Sequence, residues 1–367
     1  MNIPFVDLSE QYSNIENEIK SAVNEVFISK KFISGPYVNK FELEFSKYTN
    51  SSFCIGVGNG TDALFLAMKA LNIGQGHEVI VPANTFIATS EAVTLNGAKI
   101  VFVDCKPDTY IIDLKKVESQ ITQLTRAIIP VHLYGHPAEM TELTKLVQKK
   151  DIYIIQDCAQ AHGAKINENH LSDFGDVQCY SFYPGKNLGA FGDAGAITTN
   201  NEYLANKIRM LANHGREQKY SHEFEGTNSR MDGIQAAILS VKLKYLNDWN
   251  KKRQKNAELY SKLLCDITEV NLPKILPGFN HVFHLFVIRT SKRTELQSYL
   301  AENNVQTGIH YPKALPFLKA YDYLKHKPDD FPIAYKYQNE ILSLPMFPEL
   351  SEEKINYVSE LIHKFFK

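Results

Sequence analysis

One lysine, Lys186, stands inside a glycine-rich turn, SFYPGKNLGAFGDAGA, from Ser181 to Ala196. A lysine amine can attack a carbonyl and form a Schiff base once it is desolvated enough to lose its proton near neutral pH. Gly185, Gly189 and Gly192 let the backbone bend closely around a ligand that side chains would block. A phosphate-gripping loop of the Walker type would need Gly six residues before the lysine and Ser or Thr after it. This chain has Tyr180 and Asn187 there, so that motif fails. Taken alone, the stretch also reads as a surface turn with a solvated lysine, and the local pattern leaves both readings open.

The elements around it decide where that lysine sits. Val177–Phe182 is a short β-rich run before the turn, and Gly195–Thr199 is a strand after the Gly192–Asp193 turn signal. Upstream, Ser13–Ser29 and Phe41–Tyr48 carry helical spacing, with a Gly-Pro turn over Lys30–Pro36. Strand Phe53–Val57, turn Gly58–Asn59–Gly60 and amphipathic helix Thr61–Leu71 follow. The pattern repeats: strand Glu78–Val81, helix Ala83–Leu95, strand Lys99–Asp104, a helix from Leu114, strand Ala127–Val131, helix Met140–Lys149 and strand Ile152–Gln156 ending in Asp157. Near-continuous apolar strands alternating with helices are what a mainly parallel sheet covered on both faces requires. The expectation is an α/β protein with a three-layer αβα large domain over residues 1–250 and a smaller α+β domain over 251–367. One long helix from Met231 to about Leu264 leaves the first. Strand Val282–Arg289, helix Arg293–Asn303, an extended Thr307–Tyr311 and a closing helix Glu352–Phe366 build the second.

Composition excludes several function classes. The 367 residues hold 40 Lys plus Arg against 41 Asp plus Glu, a formal net charge of −1, and no basic patch stands out. Neither nucleic acid nor an anionic membrane is expected as a partner. The start MNIPFVDLSEQY has neither a charged head nor an apolar core, and no run nears the roughly 18 apolar residues of a membrane span, so the chain reads as cytoplasmic. Five scattered cysteines, Cys54, Cys105, Cys158, Cys179 and Cys265, without a CxxC pair, read as reduced core residues; no metal site is expected.

In such a sheet, ligands sit beyond the carboxyl ends of the strands, where Gly60–Asp62, Asp157 and Lys186 should converge. The helix start at Gly60, Thr61 and Asp62 offers unpaired N–H groups and a positive dipole end, an anion site if it is more than an ordinary strand-to-helix turn. An anion cradle, a carboxylate and a nucleophilic lysine are the three grips that pyridoxal phosphate (PLP) needs: phosphate at the helix start, ring nitrogen on Asp157, aldehyde on Lys186. Phe86, after strand Glu78–Val81, is a candidate to stack on the ring, with plain core packing as its other reading.

Across nearly the whole chain the sequence resembles the DegT-type sugar-nucleotide aminotransferases, PLP enzymes of fold type I. The stretches that carry the resemblance include IPFVDL (Ile3–Leu8), FISGPYVNKFE (Phe32–Glu42), GVGNGTDAL (Gly56–Leu64), PANTFIAT (Pro82–Thr89) and PVHLYGHPAEM (Pro130–Met140). QDCAQAHGA (Gln156–Ala164), the Lys186 stretch, NSRMDGIQAA (Asn228–Ala237) and HYP (His310–Pro312) complete it. The resemblance implies that Lys186 holds the cofactor as an imine, that Asp157 pairs with the pyridinium and that Gln160 neighbours the ring hydroxyl. It implies that Gly60, Thr61 and Ser181 hold the phosphate. An asparagine in the motif matched by Asn228 reaches the other subunit's site in this family, which implies a homodimer with shared sites. Two departures flank the site: Gln156 and Cys158 stand where Glu and Ala are usual, and His136 where Gln is common. Related dehydratases of the fold carry His in place of the lysine, so Lys186 favours transamination.

The implied reaction moves an amino group from glutamate to a nucleotide-linked keto sugar, with Lys186 as the base and acid that shuttles the proton. The branch that the chain most resembles aminates the 3-keto position of dTDP-linked 6-deoxyhexoses. A 4-keto or a UDP-linked 3-keto sugar, another ketone acceptor, and a non-catalytic regulator that keeps the fold are the alternatives. Gly35, Tyr183, His310 and Tyr311 are the candidates for contacting the sugar, with bracing of the small domain as the other reading of HYP. His162 and Tyr183 are also read as structural hydrogen-bonding residues.

Overall fold

A computed structural model describes all 367 residues. Seven strands form the central sheet: β1 (Phe53–Val57), β2 (Glu78–Pro82), β3 (Lys99–Val103), β4 (Thr125–Ile128), β5 (Tyr153–Asp157), β6 (Val177–Ser181) and β7 (Gly195–Thr199). Their order is β1-β7-β6-β5-β4-β2-β3. Strands β2 to β6 pair parallel, while β7 runs antiparallel to both of its neighbours. Direction is not written in a strand's apolar run, so the reversal of β7 was not foreseeable from its composition. Its consequence is local: the Lys186 loop becomes a wide connection between adjacent strands instead of a helical crossover.

Alternation along the strands shows the two covered faces. Ile55, Val57, Cys179 and Ile197 pack into one cluster with Ala63 and Leu66 of helix α3 (Gly60–Ala70), Ala92 of α4 (Ile87–Leu95) and Ile208 further along. Cys54, Tyr180 and Ala196, one residue out of phase, face the opposite cluster with Phe41, Phe45 and Leu239. A period of two that sends neighbours to opposite apolar layers is the signature of a sheet buried on both sides. A separate cluster unites Tyr260, Leu264, Phe286, Leu344, Ile355, Val358 and Ile362, and Ile3 joins it from the other end of the chain. The antiparallel pair Phe286–Arg289 and Ile341–Leu344 lies within that part of the molecule. No helix is long and apolar enough to cross a membrane.

Several elements differ from the sequence reading. The first two helices begin earlier, at Ser9 and at Pro36, the latter because proline with its fixed φ is at home in a helix's first turn. The fourth helix starts at Ile87, after an extended Phe86, because residues 83–86 turn away from β2. The long helix is two, Gly233–Leu243 and Leu246–Leu264. Apolar spacing runs on across the break and no Gly or Pro marks it, which is why a single helix was expected. Strand Val282–Arg289 shortens to Phe286–Arg289, and in the extended stretch only Gly308 bridges another strand residue, Ser343. Four cysteines are buried, but Cys265 is exposed just past a helix end rather than in a core.

Candidate active site

The sheet register brings the proposed grips to one edge. Val57 lies opposite Gly195 and Gly195 opposite Ser181, so the ends of β1 and β6 and the start of β7 form one row. Asp157, last residue of β5, pairs with Cys179, two residues before that row. The turn into α3 and the Lys186 loop both spring from this edge.

Helix α3 is capped by Asn59, whose Oδ1 accepts from the Asp62 N–H at 2.8 Å. Its first residues press on β6: a Cβ on Gly60 would sit 2.6 Å from Ser181 Cβ. Only glycine allows that approach, so Gly60, Thr61 and Ser181 share one small patch beside a helix N-terminus, the arrangement that suits a phosphate. Ser229 ties the neighbouring loop to the same turn, donating to Asp62 at 2.7 Å and accepting from the Gly58 N–H at 3.1 Å.

Asp157 is buried and accepts from the Thr89 hydroxyl at 2.8 Å and the Ala159 N–H at 3.1 Å. Burial raises its pKa, against those two donors and against the Lys186 ammonium nearby. A buried carboxylate with only neutral donors bonded to it still lacks a bonded cation, and a protonated ring nitrogen would supply one. Gln160 is clamped beside it: Oε1 accepts from the Tyr134 N–H at 2.5 Å, and Nε2 donates to the Tyr311 hydroxyl at 3.2 Å. One Nε2 hydrogen is left for a ring hydroxyl. These groups fit PLP.

Burial pushes the Lys186 ammonium down to about 8, with the Asp157 carboxylate opposing the shift. The residue as a whole is only partly buried, and desolvation is the larger influence on the amine's acidity. Its loop is pinned by Lys186 N–H to the Tyr183 carbonyl at 2.8 Å and Tyr183 N–H to Ser181 Oγ at 3.3 Å.

Phe86 is half exposed, 52%, and its ring lies 5.3 Å from that of Tyr311. An exposure of that size rules out plain core packing. Tyr183 is also exposed. His310 is braced: Nδ1 bonds Ser343 Oγ at 2.9 Å, its carbonyl takes the Tyr134 hydroxyl and Phe5 stacks on its ring at 5.5 Å, while burial, with the Lys186 ammonium adding to it, lowers its pKa to about 4. Gly35 is not drawn into this group; it caps the helix Pro36–Thr49 at φ +85°. Asn228 is exposed, bridged to Asn213, and stands next to Ser229.

His162 is fully buried between Tyr180 and Phe182, each 5.6 Å away; neither ring nitrogen makes a hydrogen bond of good geometry, and the Ser181 backbone is its polar neighbour. Thr89, Tyr134, Asn187 and His284 were not singled out from sequence. For Thr89 the available signal was a polar residue on the apolar side of a helix. For Asn187 it was adjacency to the lysine.

The model of the DegT/DnrJ/EryC1/StrS aminotransferase family matches residues 13–363. The chain belongs to that family. Relatives of this fold have been solved with PLP or its amino form, PMP, bound, and this aminotransferase uses PLP. A dTDP-3-amino-3,6-dideoxy-alpha-D-galactopyranose transaminase of Aneurinibacillus thermoaerophilus is 44% identical, over 99% of both chains. A pleiotropic regulatory protein of Geobacillus stearothermophilus is 45% identical over 100% of this chain and 99% of that one. The crystal structure of DesV from S. venezuelae, in complex with a ketimine intermediate, superposes on the aminotransferase with a TM-score of 0.98 at 40% identity, covering 100% of this chain and 99% of that one.

Proposed function

We propose that the aminotransferase moves an amino group from glutamate to the 3-keto position of a dTDP-linked 6-deoxyhexose, giving dTDP-3-amino-3,6-dideoxyhexose. The observation that carries this choice is the end-to-end match with a transaminase named for that class of product.

Each residue has a task in this reading. PLP, when bound, supplies the ring that accepts electrons during amino transfer. Gly60, Thr61 and Ser181 receive its phosphate; Asp157 keeps the ring nitrogen protonated; Gln160 donates to the ring hydroxyl; Phe86 covers one ring face. Lys186 holds the cofactor, and once displaced its amine takes a proton from the donor Cα and returns it on the other side of the transfer. An amine titrating near 8 is partly free at neutral pH, as a general base must be. Tyr183, His310 and Tyr311 present polar groups to the sugar.

We also read the active unit as a homodimer in which Asn228 serves the partner's phosphate site. Phe27, Ile28, Phe32 and Ile33 are exposed, and the bridge from Ile33 to Asp232 joins this apolar face to the Asn228 segment. Exposed apolar surface of that kind favours an interface. The working division is a cofactor-binding domain over 1–250 and a small domain over 251–367, with Ile3 crossing to the latter's core.

A regulatory role is the second reading, favoured by the name of the Geobacillus relative. Lys186 and Asp157 would hold PLP in a regulator as well as in an enzyme, so the two readings part at turnover; the match to an aminotransferase family over residues 13–363 favours the enzyme. The test supplies 3-keto and 4-keto dTDP-6-deoxyhexoses and a UDP-linked 3-keto sugar with glutamate and follows amino-sugar formation. Preference for the dTDP-linked 3-keto sugar is expected; preference for either other sugar overturns the substrate choice, and no turnover with any, without a spectral response to glutamate, favours the regulator.

A further inference from the structure

Asn187 follows the cofactor lysine directly, and its side chain is buried and saturated. Nδ2 donates to the Val282 carbonyl at 3.0 Å and to Asn250 Oδ1 at 2.9 Å, while Oδ1 meets His284 Nδ1 at 3.2 Å. Asn250 in turn gives its Nδ2 to the His162 carbonyl at 2.8 Å. The direction of every bond in this chain is fixed. Backbone carbonyls can only accept, so Val282 compels Asn187 to turn its Nδ2 inward and His162 does the same to Asn250. Asn187 Oδ1 must therefore face His284, whose Nδ1 carries the proton.

The network joins four separate segments. Asn187 is on the Lys186 loop; His162 closes the turn that begins at Asp157 and carries Gln160; Asn250 lies on the helix Leu246–Leu264; Val282 and His284 precede the strand Phe286–Arg289. Lys186 itself has four rotatable bonds. Its backbone is pinned on the amino side by the Tyr183 carbonyl, and Asn187 is the anchor on the other side. Two residues on, buried Lys242 donates to the Gly189 carbonyl at 2.6 Å and holds the far end of the loop.

We propose that Asn187 is a positioning residue for the Lys186 amine, acting through Asn250, Val282 and His284 to keep it in register with the Asp157 turn. This rests on Lys186 being the cofactor lysine. Asn250 is the second member of the same device, although it touches neither Lys186 nor Asp157. A displacement of about 1 Å at a reacting group can lower a rate about 100-fold.

The test uses the PLP-loaded protein and the variants Asn187→Ala, Asn250→Ala and the double variant. Three quantities are read: the pH midpoint of the cofactor's visible band, kcat and KM for the glutamate half-reaction, and Tm. Expected for each single variant is a displaced midpoint and a kcat lower by roughly 100-fold with KM changed only a few-fold. The double variant is expected to lose no more than Asn187→Ala alone, because both substitutions break one network. If Asn187→Ala does not fold, Asn250→Ala carries the test. Variants that lower Tm but keep the parent's midpoint and kcat, or whose kcat losses multiply, overturn the proposal. A parent band that maps to a lysine other than Lys186 removes the underlying reading with it; a band on Lys186 with parent-like variants removes this proposal alone.

Discussion

Gly60→Ala tests the phosphate cradle through one added carbon. That carbon would lie 2.6 Å from Ser181 Cβ and 3.2 Å from Ser181 Cα, neither of them the free end of a flexible side chain. Carbon atoms rest about 3.5–4.0 Å apart, so the first turn of α3 must retreat from β6 by roughly 0.9 Å. Overpacking of this kind costs about 1–3 kcal/mol of stability. The larger effect falls on the ligand. A retreat of that size stretches an ordinary hydrogen bond past useful range, and each charge-assisted bond is worth about 1.5–3 kcal/mol, so PLP affinity should fall roughly 10- to 100-fold for each donor lost. Titrating apoprotein with PLP and following the visible band gives the affinity, while thermal unfolding of the apoprotein gives the stability. Gly76→Ala is the control: Gly76 has φ +86° and nothing within 4 Å of the added carbon, so that variant strains the backbone away from the site. Both variants should be less stable, and only Gly60→Ala should bind PLP weakly. Parental PLP affinity in Gly60→Ala would refute the cradle.

The remaining predictions concern pH and assembly. His132 and His162 are fully buried and pushed down by burial to about 4 and about 3, and buried His281 is lowered well below its ordinary value. Their folded pKa values lie below the unfolded value of about 6.5, so their contribution is complete above that pH and is lost as pH falls through it, on the order of 1 kcal/mol per histidine per pH unit. Tm of the apoprotein should hold between pH 8 and 7 and drop clearly by pH 5; an unchanged Tm at pH 5 would contradict this burial. For the dimer, mixing a Lys186→Ala chain with an Asn228→Ala chain should partly restore activity, because one site of the mixed dimer collects both defects and leaves the other intact. Confirmed mixed dimers without recovery would count against Asn228 crossing the interface.

The sequence was most legible where one physical cause dominates. Strand β5 announced itself by an apolar run ending in Asp157, and α3 by a glycine turn followed by helical spacing. Those two features, with the Lys186 loop, spring from one edge of the sheet. Less legible were features set by tertiary contact. The break at Lys244–Tyr245 has no Gly or Pro, since both residues keep nearly helical dihedrals. Phe86 left stacking and core packing open because an aromatic residue after a strand suits either, and only its exposure decides. Gln156 was read as a departure beside the site. In the fold it accepts from His132 and gives its amide hydrogens to the carbonyls of Leu171 and Phe174, which a glutamate could not do. Asn187 and Asn250 are 63 residues apart and meet only because the helix Leu246–Leu264 passes under the Lys186 loop.

The central claim is that Lys186 carries the cofactor at the edge where Asp157 and the start of α3 meet. Borohydride reduction of the PLP-loaded protein, followed by peptide mapping, addresses it directly. The account predicts a single pyridoxyl label on Lys186, lost in Lys186→Ala. A label on any other lysine, or an unchanged label in that variant, would contradict it.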